Sequence, residues 1–277
     1  MPDKNKQGRI FLLDRTKAAQ TGTIWLSLFQ EPNTIRDLVG GANIANPGGL
    51  VTDFEGSAAT FNGSQQQNLA FALPGTLPDN IIVAARIKAT GTQASNPGAA
   101  FGIYASSGLQ TGIGVGFDTS NNVGHAYLDS IGAGVSARSA GAQNVYYTVF
   151  AQRLSNTNAY AWINGKPATT SQGVATSGSI ATVNEICIGA QHRSAGFLRN
   201  FKGNIEWAAL LYLPLGQNNP MPDAYAEALY NSNYPYSLEA KPNRIWVVSA
   251  TGIPTLSSPG MINLTQTTGT PQVTLTF

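Results

Sequence analysis

Between about residue 81 and residue 213, apolar residues recur at every second position in short runs. Clusters of Gly, Asn, Pro and Ser separate one run from the next. Period-two alternation is the pattern of strands that bury one face, and Gly/Asn/Pro clusters supply the turns that join them. Helical spacing is nearly absent. The chain is therefore constrained to an all-β architecture before any other feature is considered.

The runs can be named. Ile81–Ile87 reads as a strand, as does Gly112–Phe117, with Ile113, Val115 and Phe117 on one face. Asp118-Thr119-Ser120-Asn121-Asn122 then reads as a hairpin turn, with Gly124–Leu128 returning. Val145–Arg153 and Ala159–Ile163 form a further pair, and Asn164-Gly165 is the strongest short hairpin signal in the chain. Glu185–Gly189 and Asn204–Leu213 supply two more strands. In the latter, strict alternation predicts one shared face for Ile205, Trp207, Ala209, Leu211 and Leu213. A single short helix starts at Pro222-Asp223, fills with Ala224–Tyr230 and stops at the Asn- and Pro-containing stretch from Asn231 to Pro235. A helix of that length is marginal alone, so it must dock on the sheet through Leu229 and a tyrosine.

A chain of 277 residues buries enough surface to need no staples, and its one cysteine, Cys187, excludes an internal disulfide. Charged residues make up 11% of the chain, against about a quarter in ordinary globular proteins. Such an uncharged surface loses little on desolvation and suits contact with other proteins, including a second copy of the chain. The formal charge is only +2 and the basic residues are scattered, which argues against nucleic acid as a partner. Ile10–Leu13 is too short for a signal-peptide core, and no apolar run approaches the roughly 20 residues of a membrane span. Synthesis in a bacterial cytoplasm, without a membrane partner, is the expectation. No internal repeat or second core is evident. The expected organisation is an N-terminal arm over 1–24, one domain over 25–240 and a β tail over 241–277.

From about Trp25 to Tyr234, six landmarks follow one another in a familiar order. They are Phe61-Asn62-Gly63-Ser64, the strand Ile81–Lys88, Ala159–Gly165 with its Asn-Gly turn, Ile186–Gly189, Gly203-Asn204-Ile205-Glu206 and the helix Ala224–Tyr230. This order resembles the laminin-G-like, concanavalin-A-type jelly-roll family. The resemblance implies two antiparallel sheets packed face to face, one short helix, and outer surfaces that bind sugars or proteins. The segment Asn243–Ser249 is similar to one that follows such domains in bacteriophage structural proteins. These resemblances imply a non-enzymatic virion component, decorating a capsid or associated with a tail fibre, with other virion proteins as partners. The alternative is a carbohydrate-binding module that contacts a surface glycan, and the third reading is a glycan-cleaving enzyme.

Glycoside hydrolysis usually needs two carboxyl groups about 5–10 Å apart across a cleft. Acids two apart on one strand would share a face, yet Asp53 and Glu55 alone have that spacing and sit beside a Gly-rich turn. No catalytic residue is assigned on this ground. Calcium needs six to eight oxygens. Asp118, Asn121 and Asn122 offer side-chain oxygens from one loop, but hairpins demand those residue types anyway, so no cofactor or metal is expected. Cys187 with His192 and His125 makes neither a zinc site nor a nucleophile pair, and Cys187 between Ile186 and Ile188 reads as a small core residue. Gly112, Gly114 and Gly116 alternate within a strand, so they admit a close backbone or a bulky aromatic rather than cradle phosphate.

Aromatic residues are the candidates for sugar contact. Tyr146 and Tyr147 are adjacent, so one points inward and one outward, and Tyr104 and Tyr127 also lie on strands. Core packing is the competing use of large aromatics, and it is the better reading for Trp162 and Trp207. Tail residues Arg244, Ile245, Trp246, Val273, Leu275 and Phe277 are the candidates for assembly contacts. Val273–Phe277 alternates, and an exposed β segment of that kind needs a partner. Addition to a neighbouring subunit and pairing with the edge of its own sandwich both satisfy that need.

Overall fold

The computed structural model describes residues 22–235, apart from 30–33, 42, 46–50, 53–57, 65–68, 74–76, 78–79, 95–97, 107–111, 125–136, 155–157, 171–173, 176–182, 194–195, 214–218 and 233. Beyond 235 it describes the backbone of four strands. In chain order the first strands are β1 (Thr23–Ser27), β2 (Thr34–Arg36), β3 (Asn43–Ala45), β4 (Val51–Thr52), β5 (Ala59–Asn62) and β6 (Leu69–Ala72). Then come β7 (Ile81–Ala89), β8 (Gly98–Tyr104), β9 (Gly112–Phe117), β10 (Asn122–Gly124), β11 (Arg138–Ala140), β12 (Tyr147–Leu154) and β13 (Asn158–Ile163). They are followed by β14 (Lys166–Pro167), β15 (Val174–Ala175), β16 (Glu185–Ile188), β17 (Gln191–Arg193), β18 (Gly196–Leu198) and β19 (Lys202–Tyr212). Helix α1 spans Asp223–Asn231. The tail adds β20 (Trp246–Val248), β21 (Pro254–Leu256), β22 (Met261–Thr265) and β23 (Gln272–Thr276).

Two antiparallel sheets carry the fold. The nine-stranded sheet runs β14-β13-β12-β7-β19-β5-β4, with β1 also on β19 and β15 on β13. The six-stranded sheet runs β11-β10-β9-β8-β16-β6. Their facing side chains form one core. Val83, Ala85 and Ile87 of β7 and Val149 and Ala151 of β12 meet Phe101, Ile113, Val115, Phe117 and Ile186 of the other sheet. Trp25 of β1 crosses between the layers and stacks on Phe101, ring centres 5.4 Å apart. This is the two-sheet antiparallel sandwich with one short helix that the jelly-roll resemblance implied. The Asn164-Gly165 turn between β13 and β14 is also as expected, both residues having positive φ, 51° and 79°.

In β19 the strict alternation expected from the sequence fails. The pairing of β19 with β7 skips a residue between Ile205 and Trp207, so Glu206 is the extra residue of a β-bulge. The phase of the strand reverses there. Ile205, Ala208 and Leu210 enter the core between the sheets, whereas the expected companions of Ile205, namely Trp207, Ala209 and Leu211, are buried outside it. Those outward residues lie in a second apolar layer, with α1 and the segment after it on the outer face of the nine-stranded sheet. Tyr234 stands edge-on to Trp207 at 5.4 Å and tilts against Phe150 at 6.4 Å, and its hydroxyl is 2.8 Å from Thr23 Oγ1. Trp162 donates its indole N–H to Asp223 at the start of the helix, 2.7 Å away. Leu229 is buried as expected, and of the nearby tyrosines Tyr234 is buried, Tyr225 half-buried and Tyr230 exposed.

By its contacts the chain separates into one unit of residues 13–235 and another of 1–12 with 236–277. In the second, β20 pairs with β21 and β22 with β23, each as an antiparallel hairpin. The tail strand β23 is paired along one edge with the segment immediately before it, which costs little loop-closure entropy. Arg244, Ile245 and Phe277, like most of 1–24, lie outside the described residues, and Trp246, Val273 and Leu275 are described as backbone.

Candidate functional site

Strand β7 sends Ile81, Val83, Ala85, Ile87 and Ala89 into the core, so Ile82, Ala84, Arg86 and Lys88 face outward. The α1 layer covers the first part of this outer face. Arg86 and Lys88 lie past it and are half-buried. Arg86 is paired across the sheet with Thr148 on one side and Trp207 on the other, and Lys88 with Asn204. These registers bring together residues far apart in the chain.

Arg86 Nε donates to Glu206 at 2.8 Å, and its Nη1 to Thr148 Oγ1 at 3.4 Å. The bulge aims Glu206 at that guanidinium, and the Glu206 side chain is only 5% exposed against 27% for Arg86. Tyr146, in the residue just before β12, reaches both cations: Lys88 Nζ lies 4.7 Å from its ring centre and Arg86 Cζ 5.3 Å. Asn204 Nδ2 donates to Thr60 Oγ1 on β5 at 2.9 Å, which extends the polar row. Lys202, two residues before Asn204 on the same strand, is exposed on the same face. A half-buried aromatic ring thus sits among two held cations, one carboxylate, two hydroxyls and an amide. This is the candidate site.

The other expected contact residues are distributed differently. Tyr147 turns inward: it packs partly on the core, meets Phe117 edge-on at 5.8 Å and accepts the Ala142 N–H at 2.9 Å through its hydroxyl. Of the adjacent pair, Tyr146 is the outward one. Tyr104 is only 2% exposed and so offers little surface to a sugar ring. Its ring lies across Gly102, Gly112 and Gly114, where any side chain would collide with it. The alternating glycines admit an aromatic, as their strand pattern implied. Tyr127 lies outside the described residues.

Tyr104 belongs to the outer face of the six-stranded sheet, and so does Cys187, since Ile186 and Ile188 take the core positions of β16. Cys187 is buried, but in this outer layer rather than between the sheets, as its place between two isoleucines had suggested. The β17–β18 hairpin lies against β8 and β16 here. His192 Nδ1 is 2.7 Å from Glu185 Oε2. Burial pushes the Cys187 thiol up to about 12, with the nearby Glu185 adding to the effect against a hydrogen bond from the His192 backbone. Burial likewise raises Tyr104 and holds Arg199 down to about 10.

Asp118 is buried and its carboxylate is held by the turn. Oδ1 accepts from the Ser120 and Asn122 backbone N–H groups, and Oδ2 accepts from Asn122 Nδ2 and Arg138 Nη1 at 2.9 Å. The Asn121 side-chain oxygen accepts from Gln143. Asp118 is therefore a hairpin residue first. No group of three or more His, Cys, Asp or Glu that would hold a metal ion occurs among the described residues. Asp53 and Glu55 lie outside them.

Sequence reasoning had named Tyr146 but not its neighbours. Arg86 and Lys88 were legible as an outward pair on a strand; their meeting with Tyr146, Glu206 and Asn204 depends on strand order and the bulge.

No family model and no curated protein matches the chain. Solved structures do. The chain is similar to Trypanosoma rangeli sialidase in complex with sialic acid, with a TM-score of 0.55 and 13% identity, over 76% of this chain and 33% of that one. It is also similar to that enzyme's covalent intermediate with difluorosialic acid, with a TM-score of 0.56 and 12% identity, over 79% and 34%. A mutant of the enzyme displaying trans-sialidase activity gives 0.58 and 12%, over 83% and 37%. At such identities the likeness is one of fold, and the chain spans about a third of the length of these enzymes. Two expectations are corrected by it. The solved structures just named are all of a sialidase, so the reading as a non-enzymatic phage structural protein is withdrawn. So is the exclusion of enzymatic activity, which had rested on a missing carboxylate pair. Sialidases use a tyrosine nucleophile, and that test does not address them.

Proposed function

We propose that the sandwich is a carbohydrate-binding module and that the outer face of the nine-stranded sheet around Tyr146 is its contact surface. The carrying observation is the half-buried Tyr146 ring set among Arg86, Lys88, Glu206, Thr148 and Asn204. A sugar presents a flat apolar face and a rim of hydroxyls. The Tyr146 ring meets the first and the half-buried Arg86 and Lys88 meet the second, while the buried Thr148, Asn204 and Glu206 form the polar row beside them. The likeness in fold to enzymes solved with sialic acid supports this reading, as does the order of landmarks from Phe61 to Tyr230, on which we group the domain with the laminin-G-like and concanavalin-A-like sandwiches.

The test is a glycan array probed with the full chain and with Tyr146→Ala. Wild type binds a defined subset of glycans, and the substitution weakens that binding by about 3- to 10-fold, the worth of one aromatic contact. A silent array at high protein concentration overturns the reading. The sialidase likeness also favours glycan cleavage as a second reading. It predicts sugar release from the bound glycans, and wild-type protein that releases none excludes it.

A further inference from the structure

The geometry points to a saccharide bearing a carboxylate as the ligand of the Tyr146 face; this inference rests on the carbohydrate-binding reading above. Arg86, Lys88 and Lys202 lie on one outward surface, and Glu206 is the one carboxylate among the described residues beside them. Glu206 is committed to Arg86 Nε at 2.8 Å. Among the described residues, Lys88 has the Tyr146 ring within reach but no carboxylate. Positive charge is therefore left over beside the ring.

That surplus is unusual for this chain, whose charge is sparse and almost balanced overall. Two features place it where a ligand would use it. The cross-strand register holds Lys88 next to Asn204, whose amide is fixed on Thr60. The ring of Tyr146 lies within reach of both Arg86 and Lys88. A neutral sugar would leave Lys88 without a carboxylate. A carboxylate attached to the pyranose rim would lie against Lys88 and the free side of the guanidinium while the ring of the sugar meets Tyr146. Charge-assisted hydrogen bonds are about twice as strong as neutral ones, so the acid group should dominate selectivity.

Titration calorimetry with matched ligands tests this: 3′-sialyllactose against lactose, and a galacturonate trimer against a neutral galactose trimer. The acidic member of each pair is expected to bind roughly tenfold tighter or more in 50 mM salt, and the advantage should shrink in 1 M salt as the Debye length falls to about 3 Å. Lys88→Gln should remove most of the advantage, lowering affinity for the acidic member more than for the neutral one. Lys166→Gln, on the exposed edge strand β14, should keep it. Equal affinity for both members, or an advantage that survives Lys88→Gln, overturns the inference while the carbohydrate-binding reading stands. Absence of binding to every ligand, together with a silent array, defeats both.

Discussion

At the scale of single residues, burial rather than reactivity explains the groups that look chemical in the sequence. Cys187 illustrates it. An unfolded chain with an ordinary thiol loses its proton near pH 9.0, whereas the buried thiol keeps it until about 12. A group whose folded pKa is raised contributes stability that is intact below the unfolded value and is lost as the pH climbs through the folded one. Urea unfolding followed from pH 8 to pH 11.5 should therefore show a falling stability above pH 9, by up to about 3 kcal/mol from this thiol. Arg199, held down to about 10 by burial, works in the opposite direction, and the raised tyrosines Tyr104 and Tyr234 in the same one. The Cys187→Ser variant isolates the thiol. Its stability should fall less steeply than wild type over that range, and parallel curves would contradict the assignment.

At the scale of elements, the decisive feature is the bulge in β19. It gives an eleven-residue strand two apolar faces in succession, one for the inter-sheet core and one for the helix layer. The same extra residue puts the Glu206 carboxylate on Arg86. Deleting Glu206 would leave Ile205 opposite Ile87 and Trp207 opposite Arg86 in a regular ladder, so Trp207 stays outward and Ala208 and Leu210 stay in the core. The deletion is expected to retain cooperative unfolding measured by near-ultraviolet circular dichroism, and Glu206→Gln, which keeps the bulge, to retain it with a loss of about 1–3 kcal/mol from the broken charged contact. A deletion variant without a cooperative transition would show that the extra residue itself is required.

At the scale of the whole molecule, the described core and the candidate site belong to the unit of residues 13–235. A chain ending at Pro235 should keep the wild-type near-ultraviolet spectrum and glycan profile, with a Tm within a few degrees of the full chain; loss of the folded spectrum would show that the sandwich depends on the tail. Much of this unit was legible beforehand. The strands β7, β9, β12 and β13, the Asn164-Gly165 turn and the helix after Pro222 all follow from alternation and local turn chemistry, which act over a few neighbouring residues. The outward position of one tyrosine of the Tyr146–Tyr147 pair was equally forced by period two. What alternation could not convey was which tyrosine, where β19 changes phase, or that Trp162 and Trp207 are buried beneath a helix instead of between the sheets. Those outcomes depend on contacts between residues tens of positions apart, whose energies are set by register and by what lies on top of each face. The sequence by itself determined that this protein stacks strands and turns; only the folded arrangement decided that Arg86, Lys88, Tyr146 and Glu206 would share one surface, because charges and rings become neighbours through strand order, not through spacing along the chain.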